Sequence, residues 1–352
     1  MQTETQQRLK KFHRQPERLP LGFITDRSLA LIATVARYQI IPTSLIQHLN
    51  VGSHQQTIRH LQRLYHHGFI NRFSTARFGG SGEICYYLDN PQSLELLSQR
   101  TNYTRESLPW DLVHRNRKNP YSALHNRNEI RQALGRLLFV DHELMITRFH
   151  AHLQLACQHS EGQVELTSFR QGPELHADVY VPKLLKDPKS NKLYESDTTE
   201  RLPHRPDALF SLHFPHAPEG QREAHFFYEA DRRRSKDPKR FRKKLRAYFH
   251  CIARQKKHTE LYNIPRVRAV LVETLDDAWV DRCRRIAAHE TVSPKKPTRL
   301  FWFASSQPFT QLQPVQQGSQ QRMLPAFLSK PETLFDRVWK TPVDDQAFSL
   351  LD

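Results

Sequence analysis

Asp207, Glu229, Asp231 and Lys244 stand in an order that suits chemistry on a phosphodiester. Asp207 closes Arg205-Pro206-Asp207 directly ahead of the apolar run Ala208–Leu212, and Glu229 directly follows a second run, Ala224–Tyr228. Paired as a hairpin, these runs bring both carboxylates to one edge of a sheet. Carboxylates gathered beside a cationic surface are what a divalent cation such as Mg²⁺ and a phosphodiester require, so Asp207 and Glu229 are the candidate metal ligands. Glu143, on a helix earlier in the chain, would add a further carboxylate. Asp231 strengthens the negative charge, but it stands where a lysine would support an attacking water. The plainer alternative is that Asp207 turns the hairpin while Glu229 and Asp231 pair with the arginines beside them.

A dense basic run follows: Arg232, Arg233, Arg234, Lys236, Lys239, Arg240, Arg242, Lys243, Lys244 and Arg246, offset only by Asp237. Pro238 opens a helix through it, with Phe241, Leu245, Tyr248, Phe249 and Ile252 as one apolar stripe. At about 100° per residue, Arg242 and Lys244 flank this stripe, whereas Lys243 and Arg246 point further out. Lys244 is thus placed to reach back to the strand edge holding Glu229. Lys243, with Arg232 and Arg233, faces phosphate or water.

The elements needed to position these groups can be read around them. His142–Gln158 has helical spacing, Val164–Phe169 and Ala177–Val181 read as strands, and Lys183–Pro203 reads as a long polar loop or insertion. Beyond the basic helix come a buried-type strand at Arg266–Leu271, a helix at Asp276–His289 and a strand at Arg299–Phe303. That order describes an α/β sandwich with a mixed central sheet over residues 141–305. Residues 306–352 read as a loose tail with a possible short helix.

The N-terminal part reads differently. After a polar arm at 1–20, residues 21–90 give three short helices. The first is capped at Thr25 or Asp26, the second at Thr43 and the third at Ser53. Ile58, Leu61, Leu64 and Tyr65 form the buried stripe of the third helix, leaving Gln55, Gln56, Arg59, His60 and Arg63 on its other side. Gly68 ends that helix. Two alternating runs, Phe69–Phe73 and Glu83–Leu88, flank a Gly- and Ser-rich loop. A helix-turn-helix with a hairpin behind it is a winged helix, whose third helix reads base edges in the major groove while Arg72 and Arg77 meet phosphates. Residues 91–140 follow as a basic linker and helix, with Ser93–Gln99 and Asn126–Phe139 at helical spacing.

Composition narrows the partners. The 352 residues carry 53 Lys and Arg against 36 Asp and Glu, a formal charge of +17. That excess favours a polyanion such as double-stranded DNA, through release of counterions from phosphates. The four cysteines form no CxxC pair, and His66-His67 and His150-Ala151-His152 lack partners at zinc spacing. No Gly-rich phosphate loop is present, which excludes the usual nucleotide hydrolases. The polar N-terminus lacks the apolar core of a signal peptide, and no apolar run approaches the roughly 20 residues of a membrane span. The expected compartment is the cytoplasm.

Taken in order, His142-Glu143-Leu144, Ser168-Phe169-Arg170-Gln171-Gly172, Arg205-Pro206-Asp207-Ala208, Phe227-Tyr228-Glu229-Ala230-Asp231 and Lys244-Leu245-Arg246-Ala247-Tyr248 resemble the replication-relaxation family of bacterial and mobile-element proteins. The resemblance spans most of the chain from Ile24 to Phe303. It implies a winged helix followed by a core like that of the PD-(D/E)xK nucleases, acting in plasmid or mobile-element replication, relaxation or mobilisation, with replication or relaxosome proteins as possible partners. Arg232 and Arg233 depart from the family's small residues after Glu-x-Asp. Three readings follow: a DNA-binding protein whose nuclease-like core holds DNA without cutting it, a Mg²⁺-dependent endodeoxyribonuclease, or a winged-helix transcriptional regulator.

Overall fold

A computed structural model of the protein describes residues 24–50, 52–75, 82–118, 121, 130–232, 237–294, 296–317 and 319–352. It divides into two compact units, Met1–Ala151 and His152–Asp352. Arg77, Arg233, Arg234 and Lys236 lie outside the described residues.

In the first unit, α1 (Asp26–Arg37) is followed by β1 (Ile41–Pro42), α2 (Thr43–Leu49), α3 (His54–His66), β2 (Asn71–Ser74) and β3 (Ile84–Tyr87). Thr25 and Ser53 cap α1 and α3 by accepting from Ser28 N and Gln56 N. Thr43 does not cap α2: its hydroxyl donates to the Ile84 carbonyl at 2.8 Å, and Pro42 occupies the cap position. The break at Ile41-Pro42 is itself a strand, and the three strands form a sheet in the order β1-β3-β2. Phe73 of β2 stacks on Tyr121, and Tyr87 of β3 meets Tyr121 edge to face. The helix expected at Ser93–Gln99 is α4 (Pro91–Arg100), capped by Asn90, and the basic linker beyond it carries α5 (Trp110–Lys118).

The two helices expected at Asn126–Phe139 and His142–Gln158 are one helix, α6 (Ile130–His159). Only Val140 and Asp141 lie between them, neither a Gly nor a Pro, so no terminator separates the two periodic segments.

The second unit is built on a seven-stranded mixed sheet. Its elements are β4 (Glu165–Arg170), β5 (Ala177–Lys186), β6 (Leu193–His204), β7 (Ala208–His213), β8 (Glu223–Asp231), α7 (Pro238–Phe249), α8 (His258–Tyr262), β9 (Val267–Thr274), α9 (Asp277–Ala287) and β10 (Phe301–Ser305). Then come α10 (Gln307–Thr310), β11 (Leu312–Gln317), β12 (Gln320–Pro325), α11 (Ala326–Ser329), β13 (Trp339–Lys340) and β14 (Ala347–Phe348). The sheet order is β14-β13-β10-β9-β8-β7-β4, with β8, β9 and β10 parallel and the remaining pairs antiparallel. The central strands are buried along nearly their whole length, as expected where both faces are covered. On one face Phe227, Val270, Val272, Phe301 and Phe303 pack with Phe241, Leu245 and Tyr248 of α7 and with Trp279, Val280 and Cys283 of α9.

Two expectations fail here. Lys183–Pro203 is mostly strand rather than loop: β5 and β6 pair as an antiparallel ribbon. Its high polarity reflects solvent around the ribbon, not an absence of hydrogen-bonded backbone. Residues 306–352 are not a loose tail, because β11 and β12 form a hairpin and β13 and β14 extend the central sheet. Trp339 is fully buried there, and such an aromatic anchors a polar segment by the area it removes from water.

Candidate functional site: an acid–lysine cluster at the β7–β8 edge

Strands β7 and β8 pair in the expected hairpin register, Ala208 opposite Tyr228. Asp207 therefore lies beside Glu229, and Asp207 Oδ2 accepts a hydrogen bond from the Ala230 backbone at 2.9 Å. Glu229 belongs to the strand rather than to the turn after it. Because side chains alternate along a strand, Glu229 and Asp231 share the face of Phe227, the one covered by α7 and α9.

Lys244 reaches this face from α7. Its ammonium donates to Oε2 of Glu229, and the Tyr248 hydroxyl donates to Oε1. Lys244 and Tyr248 are four residues apart and so lie on one side of the helix. Asp237 caps this helix by accepting from Lys239 N at 2.9 Å, and Pro238 starts it. Glu229 is 5% exposed, whereas about a third (32%) of the Lys244 side chain is open to solvent.

The charges respond to this packing. Burial pushes the Glu229 carboxyl up to about 7; the Lys244 ammonium opposes that rise and the Asp207 charge adds to it. Burial alone would lower the Lys244 ammonium, but Glu229, Asp207 and Asp231 together hold it above its usual value. Burial, reinforced by Glu229, raises the Tyr248 hydroxyl far above the usual tyrosine range, so it remains a donor.

Asp231 is taken up differently. Its Oδ2 accepts from Trp279 Nε1 at 3.1 Å and lies 3.9 Å from Cys283 Sγ, both on α9. The proposed pairing of Glu229 with adjacent arginines is thus replaced by Lys244 and Tyr248. Glu143 lies on α6 within the first unit, whereas Asp207, Glu229, Asp231 and Lys244 belong to the second.

Three further residues at this edge escaped the sequence reading. Tyr248 looked like part of an apolar stripe, though its spacing from Lys244 could have identified it. Glu273 of β9 pairs in register with Ala230 and accepts from the Tyr228 hydroxyl at 2.5 Å, on the face opposite Glu229. His204 is 1% exposed among Phe227, Tyr248 and Tyr262, and among the described residues neither ring nitrogen has a hydrogen-bond partner. Burial drives its imidazole down to about 3, with Lys244 and Arg205 adding to the shift.

A Mg²⁺ ion at Asp207 and Glu229 would need free oxygen donors. Both Glu229 oxygens are already engaged by Lys244 and Tyr248. Among the described residues no group of three or more His, Cys, Asp or Glu side chains is placed to hold an ion. An ion at Asp207 and Glu229 would have to share the Glu229 carboxylate with Lys244 and Tyr248.

The basic residues also divide. Arg246, expected to face solvent, is 3% exposed; its guanidinium donates to Glu200 Oε1 at 2.7 Å and to the Pro182 carbonyl. Helix α7 lies against β6, which turns that side of the helix inward. Lys243 is exposed and 3.3 Å from Glu200. Arg232 is partly exposed.

On α3, Gln55, Gln56, Arg59 and Arg63 are exposed. Gln56 is braced by Arg27, which donates to its Oε1 and to Thr57 Oγ1, both at 3.1 Å. His60 lies 3.3 Å from the Ser28 hydroxyl, and burial, with Arg27 and Arg63, lowers its imidazole. Ile58, expected in the buried stripe, is half-buried, and Thr57 takes a fully buried place beside Leu61, Leu64 and Tyr65. Arg72 is not at the surface: it is 5% exposed, with its guanidinium 4.0 Å from the centre of the Tyr65 ring.

No helix among the described residues is long and apolar enough to cross a membrane. No curated protein and no solved structure matches the chain. The replication-relaxation family matches residues 32–267, more than half of the sequence, including Asp207, Glu229, Asp231, Lys244 and Tyr248. By that match the chain belongs to the replication-relaxation family.

Proposed function

We propose that the protein binds double-stranded DNA of a plasmid or other mobile element in replication, relaxation or mobilisation. In this reading the first unit acts as a winged helix, and the second as a nuclease-like body that holds DNA without hydrolysing it. The observation that carries the reading is the outer face of α3. Gln55, Arg59 and Arg63 are exposed on a helix fixed from behind by Thr57, Leu61, Leu64 and Tyr65. Gln and Arg are side chains that read base edges or bind phosphate, and a helix entering the major groove presents them together.

The state of Glu229 favours holding over cutting. A carboxylate bonded at both oxygens by a lysine and a tyrosine ties α7 to β8. It is poorly disposed to bind an ion or activate water.

Supercoiled plasmid incubated with the full chain, with and without Mg²⁺ or Mn²⁺, distinguishes the readings, alongside gel-shift titrations of Arg59→Ala/Arg63→Ala. The expected result is binding without nicking, weakened in the double variant with a shallower salt dependence. Metal-dependent nicking lost in both Asp207→Ala and Glu229→Ala would establish the endonuclease instead. A footprint confined to the gene's own promoter would favour the regulator. Binding unchanged in the α3 variant would remove that helix from the interface.

A further inference from the structure

The β5–β6 ribbon has an outer half without a core. Val179, Val181 and Leu202 at its base are buried, but no residue from Lys183 to Glu200 is. The register shifts between Pro182 and Leu184, and a bulge of this kind redirects the strand beyond it.

The acids and lysines of the ribbon are unequally paired. Asp178 pairs with Arg201 and Arg205, Glu200 with Arg246 and Lys243, and Glu195, opposite Leu184, with Arg254, while Asp197 is exposed. Toward the tip, Lys183, Lys186, Lys189 and Lys192 are all exposed. Among the described residues none of these four ammonium groups has an ion-pair partner. The acid between them, Asp187, is bent into the turn, where Oδ1 accepts from the Lys189 and Ser190 backbones at 2.8 and 2.7 Å. Beside the lysines, Leu185 and Tyr194 stand directly opposite each other, 37% and 48% exposed, and Tyr180 is 54% exposed nearer the base.

We propose that this ribbon is a second DNA-contacting arm, its four lysines on backbone phosphates of a duplex and the Leu185–Tyr194 pair against the groove wall. The proposal rests on the DNA-binding reading above and adds a contact surface to it. A two-stranded ribbon fits the major groove, and lysines are suited to phosphate as point charges. With Glu195 and Glu200 paired to Arg254, Arg246 and Lys243, four lysines stand against Asp187 and Asp197, an excess that favours a polyanion. Its role would be positioning rather than sequence reading, since phosphate contacts fix register and carry no base information.

The test measures binding of the full chain to a fluorescent 30-base-pair duplex by anisotropy across a salt series. It compares wild type, the quadruple variant Lys183→Ala/Lys186→Ala/Lys189→Ala/Lys192→Ala, the corresponding quadruple Lys→Arg variant and Arg59→Ala/Arg63→Ala. All four lysines are exposed, and far-UV circular dichroism checks the fold. The expected result is an affinity loss of about tenfold or more in the alanine variant. Its log–log salt slope should fall by up to about 3.6, at roughly 0.9 per lost phosphate contact, with retention in the arginine variant. Wild-type affinity and slope in the alanine variant would overturn the arm while leaving α3 as the DNA reader. So would a variant that keeps its DNA affinity but self-associates or loses binding to phosphatidylserine vesicles, marking the lysines as edge guards or a membrane contact. Loss in the ribbon variant with none in the α3 variant would support the arm and remove α3. A wild-type chain that binds no duplex at low salt would overturn both.

Discussion

Lys244 on α7 donates its ammonium to Glu229 on β8 from within the same helical turn that places Tyr248 on the other oxygen of that carboxylate. This contact joins the basic helix to the acidic sheet edge. It converts what looks like an open cluster of catalytic groups into a closed, hydrogen-bonded junction. Several measurable properties depend on it.

Glu229 gives the first. Its carboxyl is held at about 7 in the fold, against about 4.5 when unfolded. A raised carboxyl favours the protonated folded state, so its contribution to stability is complete below about pH 4.5 and is lost as pH rises through 7. Glu229→Gln keeps the shape and cannot ionise. Thermal unfolding between pH 5 and 8 should show a flatter pH dependence in the variant than in wild type. A parallel pair of curves would show that the carboxyl titrates normally.

His204 shifts in the opposite direction. Its imidazole is pushed down to about 3, so the neutral ring's contribution is intact above about pH 6.5 and is lost as pH falls toward 3. His204→Phe fills an aromatic pocket with a ring that needs no hydrogen bond. The unfolding free energy from denaturant titration should drop less on acidification from pH 6.5 to 4 in the variant, by up to about 1.4 kcal/mol per pH unit. Equal acid sensitivity in the two proteins would contradict the burial argument.

Gly52 precedes α3 at φ +121°, and a Cβ there would lie 2.4 Å from an Arg27 guanidinium nitrogen. Gly52→Ala must therefore strain the backbone and displace the arginine that braces Gln56 and Thr57. A cost of about 1–3 kcal/mol is expected in chemical denaturation, together with weaker duplex binding. Unchanged stability would mean that the turn relaxes without involving Arg27.

Arg246 locks the ribbon base to α7 through Glu200 and the Pro182 carbonyl. Its removal takes the hydrogen bond from the Pro182 carbonyl and one of two cations from Glu200, which keeps Lys243. Arg246→Ala should thus cost about 1–3 kcal/mol, and hydrogen exchange should quicken in β5 and β6 before the central strands. Uniform exchange through the unit would place the loss elsewhere.

Much of the site was legible because short-range rules govern it. The alternating apolar runs around Ala208 and Phe226 forced a hairpin, and the hairpin brought Asp207 beside Glu229. The 3.6-residue period of α7 directed Lys244 toward the same edge. Caps at Thr25 and Ser53 marked two helix starts because a hydroxyl at that position satisfies a local backbone donor. The family resemblance, carried by five short motifs in order, was likewise readable from the chain.

What linear order could not supply was the identity of distant partners. Arg246 and Lys243 are adjacent on a helical wheel drawn with solvent around it. Only the docking of β6 against α7 buried one and left the other exposed. Arg72 alternates as a surface strand residue, yet Tyr65 of α3 covers it. Polar sequence hid the β5–β6 ribbon and the C-terminal strands, because backbone pairing needs a partner strand rather than apolar side chains. Local periodicity and charge determined the helices, the hairpin and the basic character of this protein. Tertiary packing decided which charges are spent on one another and which remain for a partner, since burial and ion pairing arise between segments far apart in the chain.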